Sequence, residues 1–92
     1  MKKIYNDPFL TLYKILDLHG ETRDSVKLLL NNFINESLLL KQKNIIVIHG
    51  IGRGILRREV HNLLKVNNKV IEYKLSNDNL GITIVKLGNK NS

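Results

Sequence analysis

Residues 44–60 read NIIVIHGIGRGILRREV. Four apolar residues in a row, Ile45 to Ile48, describe a buried strand. His49-Gly50-Ile51-Gly52-Arg53-Gly54 follows at once, and an apolar-periodic run then begins at Ile55. The pattern is strand, glycine-rich turn, helix. Three glycines in six positions let a ligand approach the backbone and admit positive φ. The first N–H groups of the following helix have no intrahelical acceptor and face the same spot. A phosphate is the natural guest of such a turn.

Arg53, Arg57 and Arg58 crowd the start of that helix. Cations there oppose the helix dipole, at roughly 0.3–1 kcal/mol each when exposed. A bound polyanion would reverse the sign of that effect. The ordinary alternative is a solvated helix face, which applies more to Arg58 than to Arg53, inside the turn.

The rest of the chain fits one small unit of 92 residues. Residues 1–12 read as a lead-in, 13–88 as the domain and 89–92 as a polar tail. In the lead-in, Phe9, Leu10 and Leu12 are candidates for a flap on the core. Tyr13 to Leu18 reads as the first strand, with Leu16 and Leu18 on one face and Asp17 on the other. Thr22 is a helix N-cap with Asp24 in the first turn, and the helix runs to about Leu40. Val26, Leu29, Leu30, Phe33, Ser37 and Leu40 make its expected inner face.

A strand, a helix and a second strand make a right-handed βαβ unit with parallel strands. The second helix spans about Ile55 to Val66, with Leu56, Val60, Leu63 and Leu64 inward. Val70 to Leu75 alternates like an edge strand, with Ile71, Tyr73 and Leu75 on one face. Ile82 to Leu87 is more apolar and therefore more central. The expected fold is α/β, more closely an α+β two-layer sandwich: βαβαββ, a four-stranded mixed sheet with two helices on one face.

Fifteen basic residues against eight acidic ones give a net charge of +7, which favours polyanions, nucleic acid before membrane. Cysteine is absent, so disulfides and thiolate chemistry are excluded. The beginning of the chain lacks a signal-like apolar run, and a cytoplasmic monomer is expected.

In parallel strands the C-terminal ends lie side by side, and ligands bind there in open α/β sheets. Asp17 and His19 end the first strand and His49 ends the second, so the three should converge with Arg53. An imidazole can move a proton near neutral pH, and a carboxylate beside it can hold its tautomer. A guanidinium and helix N–H groups can stabilise charge on a phosphoryl oxygen. That set suits phosphodiester cleavage, and with RNA either His19 or His49 could activate the 2′-hydroxyl without a metal. Each histidine also has a plain structural reading, its ring satisfied by a backbone carbonyl. The residue types single out no definite cofactor. A divalent metal such as Mg on Asp17, His19 and His49 is compatible with the residue types, but zinc-type spacing is missing. His61, mid-helix, is expected on the surface, and Tyr73 in packing.

Two phosphate motifs fail. No Gly-Lys-Ser/Thr closes the turn as a P-loop requires. In the dinucleotide fingerprint Ile55 stands in the place of the third glycine, and a second nucleotide half is lacking.

Leu16-Asp17-Leu18-His19-Gly20, then His49-Gly50-Ile51-Gly52-Arg53-Gly54, then Gly81-Ile82-Thr83-Ile84-Val85 resemble, in order and spacing, the motifs of the Smr (small MutS-related) domain family. The resemblance covers Ile15 to Leu87. It implies the βαβαββ sandwich, similar to the C-terminal domain of a bacterial translation initiation factor. It implies an endonuclease that nicks DNA or cleaves RNA, in some members at the ribosome, by hydrolysis or transesterification; the alternative is a non-catalytic nucleic-acid- or ribosome-binding module. It implies functional roles for Asp17 and His19, and a site lined by His49, Gly50, Gly52 and Gly54, with Arg53 as the phosphate-binding cation. Two departures stand out. Ile51 replaces a frequent lysine, and Asp78-Asn79 replaces a frequent glycine pair before the last strand.

Overall fold

The computed structural model describes residues 13–88; the lead-in, its proposed flap and the tail lie outside the described residues. In chain order the elements are β1 (Lys14–Asp17), α1 (Arg23–Leu39), β2 (Asn44–Ile48), α2 (Ile55–Val66), β3 (Val70–Leu75) and β4 (Ile82–Leu87). The sheet order is β1-β2-β4-β3. β1 pairs parallel with β2, in the register Asp17 to Ile48, while β4 runs antiparallel to both β2 and β3. The βαβαββ order and the mixed sheet are as expected, with β3 at the edge and β4 inside. No helix among the described residues is long and apolar enough to cross a membrane.

Local chemistry sets the helix ends. The Thr22 side chain accepts the Ser25 N–H, and Asp24 complements the dipole in the first turn of α1. At the far end Lys41 adopts φ 60°, which lets its N–H and that of Gln42 reach the Leu38 and Ser37 carbonyls. α2 ends at Asn67, whose side chain accepts the Lys69 N–H and leads into β3.

Both helices pack on one face of the sheet. Val26, Leu30, Phe33 and Ile34 of α1 and Val60 and Leu64 of α2 meet Ile45, Val47, Val85 and Leu87 in one cluster. Each fully buried aliphatic side chain contributes about 1.5–3 kcal/mol relative to exposure. On α1 the observed stripe differs from the expected one. Leu29 and Leu40 are exposed and Ile34 is buried instead. The helix turns Val26, Leu30, Phe33, Ile34 and Ser37 inward, at spacings of four, three, one and three residues. Leu29 lies outside that arc, and Leu40 is already past the helix.

β3 also departs from simple alternation. Val70 pairs with Leu87 and Glu72 with Lys86, so Ile71 is an extra residue in a bulge. The bulge shifts the phase. Val70 is buried and Ile71 exposed, whereas Tyr73, opposite Val85, still packs on the core.

Candidate nucleic-acid active site

The pairing of β1 with β2 places the two His-Gly turns side by side. Leu18 N–H donates to the Ile48 carbonyl at 2.7 Å. A Cβ built on Gly50 would lie 3.6 Å from the His19 Cβ. The two ends therefore meet, and His19, Gly20, His49 and the loop from Gly50 to Gly54 line one cleft of about 300 Å³.

At the β1 end the Asp17 carboxylate binds the ring two residues later. His19 Nδ1 lies 2.6 Å from Asp17 Oδ1, and the His19 backbone N–H donates to the same oxygen at 3.1 Å. A carboxylate can only accept, so Nδ1 carries the proton and Nε2 is left as the free base. His19 is exposed, and the Asp17 hydrogen bond and charge raise its pKa above 6.5.

At the β2 end the surroundings are opposite. His49 is 4% exposed. Its Nδ1 lies 3.0 Å from the Gly50 carbonyl and its Nε2 2.8 Å from Thr83 Oγ1 on β4. Burial first, and the Arg57 charge, lower its pKa below 6.5 against the opposing Gly50 carbonyl bond. Both ring nitrogens are occupied within the protein, so the carbonyl-satisfied reading describes His49 and not His19.

The glycine loop is tied at both ends. His49 and Gly50 N–H groups donate to the Gly81 carbonyl at 2.9 and 3.1 Å, and the Gly54 N–H to Ile51 O at 3.2 Å. A Cβ at Gly81 would sit 3.3 Å from the Gly50 carbonyl carbon and from Ile51 Cγ1, so the loop lies directly on that glycine. The turn before it needs no glycine pair, because Asn79 Oδ1 accepts the Gly81 N–H at 2.9 Å.

Gly54 caps α2 in the left-handed region, φ 79°, without a side-chain hydrogen bond. The first N–H groups of α2 therefore face the cleft without an intrahelical acceptor. Of the three arginines, Arg53 is exposed at the cleft and Arg57 lies against Gly54, where a Cβ would come within 2.8 Å of its Nη2. Arg58 is exposed and does not line the cleft, so the structure does not bring it to the loop. Among the described residues no three His, Asp or Glu side chains group to hold a metal, and Asp17 with His19 is only a pair of donors.

His61 is not the surface residue expected from its mid-helix position. Its Nε2 lies 2.7 Å from Thr83 Oγ1, its ring 5.1 Å from that of Tyr73, and 5.9 Å edge-on from that of His49. The signal is in the sequence: His61 follows Val60, a core position, and Thr83 is the one hydroxyl in β4 and shares its inner face with Val85 and Leu87.

The chain resembles known proteins over the same region. It is 37% identical over 76 residues to Endonuclease MutS2 of Streptococcus agalactiae, which covers 79% of this chain and 10% of that protein. Endonuclease MutS2 of Helicobacter pylori is 37% identical over 75 residues, covering 78% and 10%. The chain thus spans about a tenth of the length of these relatives. The crystal structure of the Smr domain of Thermus thermophilus MutS2 superposes with a TM-score of 0.78 at 26% identity, over 80% of this chain and 96% of that one. YdaL, a stand-alone small MutS-related protein of Escherichia coli, has the same fold, with a TM-score of 0.76 at 24% identity over 82% of this chain and 64% of that one. The family model described as the Smr domain matches residues 16–88, from the leucine that opens the first motif to the glycine after β4. With both His-Gly turns, the sheet order and the relatives in agreement, the chain belongs to the Smr domain family.

Proposed function

We propose that the protein is an endonuclease that binds a nucleic-acid phosphate in the glycine loop and cleaves the backbone with His19 as general base. The observation that carries this reading is the Asp17–His19 pair, an exposed imidazole whose Nδ1–H is held by a carboxylate 2.6 Å away at the mouth of an anion-receptive cleft. Similarity to the MutS2 endonucleases and a net charge of +7 support it.

In the proposed reaction the phosphate rests on the α2 N–H groups with Arg53 and Arg57. His19 Nε2 takes the proton of the attacking oxygen, which is the 2′-hydroxyl of RNA or a water on DNA. As the new P–O bond forms, the ester P–O bond to the leaving oxygen (O5′ in RNA) breaks, and that oxygen takes a proton from water. Asp17 holds the ring and stabilises the imidazolium that forms. The arginines and N–H groups then meet the charge that builds on the phosphoryl oxygens. Because RNA carries its own nucleophile, RNA is the substrate this set attacks most directly, free or on the ribosome.

The test is a cleavage assay on labelled single-stranded RNA, stem-loop RNA and supercoiled plasmid, with magnesium and with chelator. Asp17→Asn serves as control, and ribosome-bound messenger RNA as a further substrate. The reading expects at least one substrate to be cut by wild type and spared by Asp17→Asn. Retention of all of them with no product would replace it with a non-catalytic binding module.

A further inference from the structure

A second polar chain runs behind the cleft, outside the Asp17–His19 pair. Thr83 is fully buried on β4, and its one hydroxyl serves two imidazoles, His49 at 2.8 Å and His61 at 2.7 Å. The protons along it follow from the acceptors. The Gly50 carbonyl can only accept, so His49 Nδ1 carries hydrogen. The neutral His49 ring then presents a lone pair at Nε2, and the Thr83 O–H donates to it. That hydroxyl has no second proton, so His61 Nε2–H donates to the Thr83 oxygen.

The direction of this chain matters at its far end. In a trans peptide the N–H points opposite to the C=O. With the Gly50 carbonyl turned inward to His49, the Ile51 N–H is turned outward, and Ile51 lines the cleft. We propose that Thr83 and His61 are positioning residues of the glycine loop: they hold His49 in its Nδ1–H form, and that ring aims the Ile51 N–H at the bound anion. The proposal rests on the reading of the cleft as a phosphate site. Arg57 is the charged group beside both imidazoles, and Tyr73 packs on His61 from β3. A cation so near resists a second positive charge on either ring and favours the neutral chain.

The test uses the full chain with ¹⁵N-labelled imidazoles. Long-range ¹H–¹⁵N spectra report the His49 tautomer, and titration with inorganic phosphate is followed on the Ile51 amide. Thr83→Val keeps the shape of the side chain and removes the hydroxyl. It is expected to mix the His49 tautomers and to weaken the phosphate response about 5- to 10-fold, the order of one hydrogen bond. Thr83→Ser restores both. His61→Phe keeps a ring against Tyr73 without the donor, and is expected to give a smaller change of the same sign. A folded Thr83→Val with the His49 tautomer and the Ile51 response of wild type overturns the proposal. If Thr83→Val does not fold, His61→Phe decides: wild-type tautomer populations there overturn it equally. Should wild type show no phosphate response, the anion site itself is refuted, while the tautomer comparison still judges the chain behind it.

Discussion

The same dipeptide, His-Gly, ends β1 and β2, and the two histidines have opposite fates. His19 is exposed, shares a proton with Asp17 and keeps one nitrogen for solvent or substrate. His49, a neighbour across the parallel pair, is buried and spends both nitrogens inside the protein. The difference does not lie in the dipeptide. It lies in what each strand brings: an aspartate two residues earlier on β1, and a threonine 34 residues later on β4. A histidine at a strand end keeps one nitrogen open or engages both according to its burial and the partners its two ring nitrogens find. An anionic partner makes the other nitrogen more basic, whereas burial holds the ring neutral against the pull of its carbonyl partner.

This contrast can be broken in several places. The largest effect is expected at the exposed ring. His19→Ala or Asp17→Asn should lower cleavage by ~10²–10⁴-fold, the usual contribution of a general base, with a urea midpoint unchanged at pH above the His19 pKa, where the titration of the pair no longer contributes. An equal loss accompanied by unfolding would erase the distinction. Next comes the buried ring. His49→Ala leaves Thr83 and Gly50 without their partner and should cost about 2–3 kcal/mol in urea denaturation, measured at pH 7.5 or ~1 unit above the free-imidazole pKa. A variant as stable as wild type would contradict the strut.

Arg53→Ala should weaken nucleic-acid binding and reduce the slope of log affinity against log salt by about 0.7–0.9, as one phosphate contact is lost. Arg58→Ala, away from the cleft, should change that slope less. An identical change in both would mean that the charge acts diffusely. The pH dependence separates the two rings by sign. The raised His19 pKa contributes stability that is present below 6.5 and lost as pH rises through the folded value. The lowered values of His49 and His61 contribute stability that is present above 6.5 and lost as pH falls through theirs. Cleavage should rise with pH to an inflection above 6.5, and that inflection should move down in any residual activity of Asp17→Asn. Far from both rings, Ser37 Oγ is buried without a hydrogen-bond partner. Ser37→Ala should therefore raise stability by about 1 kcal/mol, and no change in the cleavage profile should accompany it.

Much of this architecture was legible in local pattern. Helix α2 and strands β3 and β4 begin and end where periodicity and turn residues place them, because each is bounded by glycine, asparagine or serine. The meeting of the His19 turn with the glycine loop also follows, since parallel pairing sets the two strand ends side by side. What escaped were features that depend on one partner far away. The bulge at Ile71 is decided by how β3 registers on β4, not by its own alternation. The inner arc of α1 includes Ile34 rather than Leu29 because the helix is rotated to fit the sheet and α2. His61 looked like a surface residue because its acceptor, Thr83, is 22 positions away on another element. Hydrophobic period shows which face is inward. It says little about which polar side chains are taken inward to satisfy one another.

The division of labour between the two histidines is most directly tested by titrating all three imidazoles in the ¹⁵N-labelled protein and following each ring nitrogen from acid to alkaline pH. His19 is expected to titrate above 6.5, with Nε2 the nitrogen that loses its proton, while His49 and His61 titrate below 6.5 and His49 keeps its proton on Nδ1. A His49 that titrates at or above 6.5, or a His19 that titrates below it, would contradict the account.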